Sequence, residues 1–245
     1  MTLAIRGDRA SCLSLQLGER TWLLAVARGF GQVGGVATES ALLARLRAEC
    51  ARRARGARFR RAVAHPQTAA TAILALLSRV NGDLYAATAS HDDYVTAASS
   101  LTAVLVVAGR AYTIHAGATA AYLVRAGDMV ALSADDVFKE RPVPLLGRVF
   151  AAAPALDVAV STVELEEGDL IALLGQRMQG EGNGRATLAQ LEADPAHRVL
   201  LARFERDDTS EDCLRPAARR GDGAAVVIAR LAAAAAFAAA LVYVR

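Results

Sequence analysis

At 245 residues the chain is long enough to bury a sizeable core, as one large domain or one domain with a tail. A net charge of +3 does not by itself imply a nucleic-acid partner, and much of the 54% hydrophobic content is alanine. Cys12, Cys50 and Cys213 are odd in number, far apart and without CxxC or zinc spacing, so a reduced, cytoplasmic setting is expected rather than a disulfide framework.

In chain order, MTLAIRGDRAS has no apolar h-region, so no secretory signal is expected. LAIRGDRASCLSLQLGERTWLLAVA predicts two short strands around a turn at Gly18–Glu19. The second strand delivers Arg28 into a loop with four glycines, GFGQVGG. Residues 38 to 55 carry apolar positions at Ala41, Leu42, Ala44 and Leu46 between arginines and predict an amphipathic helix. His65–Pro66 breaks the chain, and Thr68 to Val80 predicts a second helix ending near Asn81–Gly82. Three strand-rich stretches follow, SLTAVLVVAGRAYTIHA, ATAAYLVRAGDMVALS and DVAVSTVELEEGDLIALLG, with hairpin turns at Gly109–Arg110 and Gly127–Asp128. Residues 176 to 221 are polar and predict loops with partial helix, after which AAVVIAR is a last strand. Strands, two helices, more strands, a helical insert and a strand predict an α+β sandwich.

The ends and patches bear on partners. LAAAAAFAAALVYV, 231–244, has no charge and lies between Arg230 and Arg245. Fourteen residues of helix cover only about 21 Å, short of a bilayer, so a packed C-terminal helix or tail is expected over 231–245. Membrane contact through it is the alternative. Residues 44–61 hold eight arginines against Glu49. They read as a solvated helix face, with acidic partners, nucleic acid or anionic lipid as the functional alternatives. Phe59 is their only aromatic neighbour, so nucleic acid is not favoured. His65, His91, His115 and His197 have no metal spacing and are expected to be structural or exposed.

The order of segments resembles the metal-dependent PP2C (PPM-type) protein serine/threonine phosphatases in their short bacterial form, over roughly residues 4 to 230. WLLAVARGFGQVGGVAT is similar to that family's aVaDGMGGh.gGe.AS segment. LLSRVNGDLYAAT with SSLTAVLVV resembles aN..i......GTTa, and AYTIHAGATAAYLVRAGDMVALSADD resembles l.vanvGDSRaYl.r.g....LT.DH. VELEEGDLIALLGQRM is similar to l.pGD.lLLcSDGl, and GDGAAVVIAR to DNvTvvvv. The resemblance implies an α-β-β-α sandwich over residues 1–230: two mainly antiparallel sheets packed face to face and flanked by helices. It also implies a mechanism in which aspartates at strand ends hold two Mn²⁺ or Mg²⁺ ions that activate water for attack on phosphoserine or phosphothreonine.

This sequence departs from the pattern at those aspartates. The family's DG aspartate falls on Arg28, with Gly29 kept. The first-motif aspartate falls on Arg9, next to Asp8, and the SDG aspartate falls on Gln176. In the GDSR segment only Gly117 survives, followed by Ala118. Asp135 is kept in LT.DH, with Asp136 in place of the histidine. Asp222 alone stands clearly at a metal-ligand position. The three exchanges shift the local charge by about +5, and an ion brought within ~4 Å of Arg28 is repelled by roughly 8 kcal/mol at an effective dielectric near 20. A pseudophosphatase is therefore expected, with no catalytic metal. As a regulatory module it would bind a protein partner, a phosphorylated Ser/Thr segment or a Ser/Thr kinase system. Arg9 and Arg28 then either form a phosphate-binding pair or have drifted after catalysis was lost. The alternative is a divergent phosphatase holding one Mn²⁺ or Mg²⁺ on Asp8 and Asp222.

Overall fold

The computed structural model describes residues 2–6, 11–88, 97–134, 136–138, 145–178, 199–204, 225–228 and 241–242. The chain begins with β1 (Thr2–Arg6), β2 (Cys12–Gly18), β3 (Thr21–Phe30) and a small hairpin, β4 (Gln32–Val33) and β5 (Val36–Ala37). Three helices follow: α1 (Thr38–Ala54), α2 (Ala57–Ala64) and α3 (Pro66–Thr88). The strands β6 (Ala98–Val107), β7 (Arg110–Ala116), β8 (Ala120–Arg125) and β9 (Asp128–Ala131) come next, then β10 (Val137–Phe138) and β11 (Leu145–Leu146). The remainder is β12 (Ala159–Glu164), β13 (Leu170–Leu174), β14 (Val199–Arg203), β15 (Ala225–Ile228) and β16 (Leu241–Val242).

These strands form two six-stranded antiparallel sheets. One has the order β15-β1-β14-β13-β8-β9, the other β16-β12-β7-β6-β3-β2. Period-two alternation on β3 explains how they stack. Trp22, Leu24 and Val26 point between the sheets and meet Leu123, Leu173 and Leu200. Leu23, Ala25 and Ala27 point the other way, onto Leu42 and Leu46 of α1 and Leu76 of α3. A strand buried on both faces reads as the uninterrupted apolar run seen in the sequence. The expected α+β sandwich of two packed antiparallel sheets is present, and among the described residues its helices cover the β3-containing sheet.

Several elements differ from the sequence reading. The β6–β7 and β8–β9 turns sit at Ala108–Gly109 and Ala126–Gly127, one residue earlier than expected. In both, the alanine as well as the glycine has positive φ, 50° and 78° in the first, 53° and 97° in the second, as a two-residue primed turn requires. A third helix, α2, follows α1 and buries Val63. Helix α3 does not stop at Asn81–Gly82. The Asn81 amide donates to the carbonyls of Ala153 (2.9 Å) and Pro154 (3.2 Å) and accepts from the Ala151 N–H (2.9 Å). Those tertiary bonds remove asparagine's usual competition with the helix backbone. Strand β14 lies in the stretch read as loop and partial helix. VLLAR lies between β1 and β13, each pairing with it over five residues, and its first four residues are buried. Of 231–245, Leu241–Val242 are described and pair as a short strand with Ser161 and Val160. The rest of that expected helix lies outside the described residues. Among the described residues, no helix is long and apolar enough to cross a membrane.

On α1, two arginines of the basic stretch share one carboxylate. Glu49 accepts from Arg52 at 2.6 Å and from Arg53 at 2.7 Å, and the Arg52 bond leads in holding its carboxyl down to about 2, against an ordinary 4.5. A carboxyl lowered in the folded state stabilises fully above its unfolded value and loses that contribution as pH falls toward the folded one. The stability difference between wild type and Glu49→Gln should therefore be constant above about pH 4.5 and shrink as pH drops toward about 2. Urea denaturation at a series of pH values measures it.

Candidate functional site at one mouth of the sandwich

Arg28 shares the alternation of Leu24 and Val26 but lies beyond the buried run, exposed where β3 leaves the inter-sheet core. Gln176 follows two residues after β13 on the opposite sheet. The Arg28 guanidinium Nη1 donates to Gln176 Oε1 at 2.7 Å. Positions 148 residues apart in sequence are thus joined across the mouth between the sheets.

The flanking glycine has a steric reason. A Cβ on Gly29 would stand 2.8 Å from Glu39 Oε2, 2.9 Å from Glu39 N and 3.0 Å from the Ala98 carbonyl. Only glycine lets the first turn of α1 close onto the end of β3. Thr38 fixes that junction, its hydroxyl donating to the Phe30 carbonyl at 2.9 Å.

Gly117–Ala118 brings the chain from one sheet to the other at the same mouth. Gly117 has φ +98°, and a Cβ there would lie 2.2 Å from Ser100 Oγ. Ser100 stands opposite Arg28 in the β3–β6 register, and its hydroxyl accepts from the Ala118 N–H at 2.9 Å. The Ala118 carbonyl in turn accepts from the Arg177 N–H at 3.2 Å. Gly117→Ala should cost about 2–4 kcal/mol, combining a left-handed backbone with a clash against Ser100. Chemical denaturation of the variant checks this.

Arg28, Gly29, Gly117–Ala118 and Gln176 therefore converge. Asp8, Arg9, Asp135 and Asp222 lie outside the described residues. The strand residues that flank them in sequence are described: Ile5 of β1 pairs with Ala225, Arg6 with Val199, and Val199 with Leu174, the last residue of β13. Those strand ends share the end of the sheet that carries Gln176.

Asp136, which replaces the motif's histidine, is fully engaged. It accepts from the Gly117 N–H at 3.0 Å and from the Arg148 guanidinium, and stands 3.4 Å from His115 Nε2. His115 is buried, as its structural reading expects, with Nδ1 bonded to Thr102 Oγ1 at 2.8 Å. Burial outweighs the Asp136 carboxylate and pushes the imidazole down to about 4, so it is neutral near pH 7. Ser100, Arg148 and Arg177 escaped the sequence reading. None falls on a motif aspartate, and only the fold brings them to this mouth.

Hard divalent ions require anionic or carbonyl oxygen ligands. Among the described residues, the mouth offers a guanidinium bonded to an amide, with Asp136 already held by Arg148. Of the described carboxylates, Glu39 lies beside Gly29. No group of three or more His, Cys, Asp or Glu side chains able to hold a metal occurs among the described residues. This donor set does not fit a two-metal centre.

No family model and no curated protein matches the sequence. Solved structures do match. A Streptococcus agalactiae (S. agalactiae) serine/threonine phosphatase superposes with a TM-score of 0.61 at 16% identity, covering 82% of this chain and 96% of that one. The Mycobacterium tuberculosis phosphatase PstP/Ppp gives 0.58 at 19% identity, with coverages of 84% and 100%. Staphylococcus aureus Stp1, also a serine/threonine phosphatase, gives 0.60 at 13%, with 83% and 94%. At such identities the likeness concerns fold alone. The chain is built on the PP2C-like fold that these bacterial serine/threonine phosphatases share.

Proposed function

We propose that this chain is a non-catalytic PP2C-like module that binds a protein partner, through a phosphorylated Ser/Thr segment, in bacterial Ser/Thr phosphorylation signalling. The Arg28–Gln176 hydrogen bond is the observation that carries this reading. It joins two positions at which the family resemblance places metal-binding aspartates, and it puts a fixed positive charge there. With Nη1 committed to Gln176, the guanidinium keeps other N–H groups, and the Gln176 amide keeps its own donors. A guanidinium fork flanked by amide donors matches phosphate oxygens. Arg9, three residues before β2, is the proposed second contact.

Calorimetric titration with inorganic phosphate and with a phosphoserine peptide tests the pocket. Saturable binding is expected, weakened at least about tenfold by Arg28→Ala, the scale of a lost charge-assisted bond. Absence of binding at millimolar ligand would sink it. Turnover of p-nitrophenyl phosphate with Mn²⁺, abolished by Asp222→Ala, would instead establish the divergent-phosphatase alternative on Asp8 and Asp222.

A further inference from the structure

The helix layer carries an open groove of about 660 Å³ where the end of α1 meets α2 and α3. It lies far from the Arg28–Gln176 mouth. Arg52 and Arg53, in the last turn of α1, stand about 21 Å along that helix from Thr38, which is tied to the end of β3. The floor is apolar, with Phe59 and Ala62 from α2 and Ala72 and Ala75 from α3. On α3, Thr68, Thr71, Ala72 and Ala75 recur at helical spacing, so that wall carries only small side chains and a guest can approach it closely.

The charge sits on the other side of the groove. Arg52 and Arg53 of α1 and Arg58 of α2 line it, and among the described residues no carboxylate does. The nearby Glu49 carboxylate bonds both Arg52 and Arg53 and stands 3.6 Å from Arg79 as well, so positive charge is in excess. Arg52 and Arg58 are exposed, free to meet a guest without loss of packing. An apolar floor with a basic side fits an apolar guest with carboxylates along one flank.

Two further properties select that guest. The lining comes from helices and the Gly56 joint, with no strand edge, so an extended peptide would press unpaired N–H and C=O groups onto the floor. A helix arrives with those groups already paired. A bilayer, in turn, is entered by projecting apolar side chains. Of the described residues, the large apolar side chains that stand exposed are Phe30, Val36, Val130 and Leu146, and none of them lines this groove.

We propose that this groove docks an acidic amphipathic helix of a partner protein, its apolar stripe on Phe59, Ala72 and Ala75 and its carboxylates against Arg52 and Arg58. The site is independent of any phosphate binding at Arg28.

The test uses the full chain and a fluorescein-labelled helical peptide of about 15 residues, with leucines at i, i+3, i+4 and i+7 and glutamate and alanine elsewhere. Fluorescence anisotropy should show saturable binding below millimolar peptide, weakening as salt is raised. Arg58→Glu should weaken it at least about tenfold by turning attraction into repulsion. Ala75→Gln should weaken it at least about threefold by laying an amide over the apolar floor. Both positions are exposed on helices, and melting curves confirm that each variant is folded. A copy with lysine for glutamate, and a scrambled copy with the leucines dispersed, should each bind at least about tenfold more weakly. No saturable binding at millimolar peptide, either control copy bound as tightly as the original, or wild-type affinity in Arg58→Glu would each overturn the proposal. So would phosphatidylglycerol vesicles or an oligothymidylate bound in place of the peptide and released by Arg58→Glu.

Discussion

Replacing Arg28 and Gln176 together by aspartate should raise the affinity for Mn²⁺ at least about hundredfold over wild type. The basis is Coulombic. A divalent ion ~4 Å from a unit charge exchanges roughly 8 kcal/mol with it at an effective dielectric near 20, and reversing the sign at position 28 turns that term from repulsion to attraction. Exposure of Arg28 lets solvent and salt screen much of it, so hundredfold is a conservative fraction. The wild-type Arg28–Gln176 bond is lost in the double variant, which also frees the mouth. Mn²⁺ titration followed by water-proton relaxation reads the affinity directly. Wild-type protein that binds Mn²⁺ as tightly as the variant would show that position 28 does not govern the mouth.

Asp169→Ala should destabilise the fold by about 2–3 kcal/mol, because a buried carboxylate that accepts charge-assisted bonds from a partly exposed guanidinium is removed. Asp169 is 1% exposed and receives the Arg125 fork, Nε at 2.9 Å and Nη2 at 2.7 Å, plus the Glu166 N–H at 2.7 Å. Arg125 spends its other donors on Glu166 and on the Glu164 carbonyl, so the whole turn before β13 is clamped to the end of β8. Alanine would leave the Glu166 N–H and the Nε of the partly exposed Arg125 without their acceptor. In a chain of this size the melting temperature should fall on the order of 10 °C. Asp169→Asn, which keeps an acceptor for Glu166, should fall less. Equal melting for wild type and Asp169→Ala would remove the clamp from the account.

The GD pair at Gly168–Asp169 shows what the sequence could and could not convey. Its place in a motif was readable from VELEEGDLIALL; that the aspartate braces a turn, rather than faces the mouth, needed Arg125 from a distant strand. Apolar runs bounded by turn signals announced β3, β6, β7 and β8, because strands buried on both faces leave such runs in the sequence. VLLAR did not announce β14, since four apolar residues and an arginine amid polar sequence fit a buried strand or a piece of helix equally well. Likewise Asn81–Gly82 looked like a helix end until the carbonyls of Ala153 and Pro154 were placed against it. The Arg28–Gln176 bond was only half legible. The two residues could be named from the family resemblance, but a side-chain bond spanning 148 positions is a property of the packed sheets.

The strand order has a consequence for how the protein is made. Four of the six strands of the β3-containing sheet, from Cys12 to Ala116, and the three helices come from one continuous stretch early in the chain, so this part can begin to pack soon after it leaves the ribosome. The other sheet cannot. Among the described residues, Thr2–Arg6 pairs with Val199–Arg203 and Ala225–Ile228, so β1 must wait for strands that lie far along the sequence. Until then the inter-sheet face of β3, with Trp22 and Leu24, lacks the part of its cover that Leu200 and Ala202 supply. The nascent chain should be most prone to self-association in that interval.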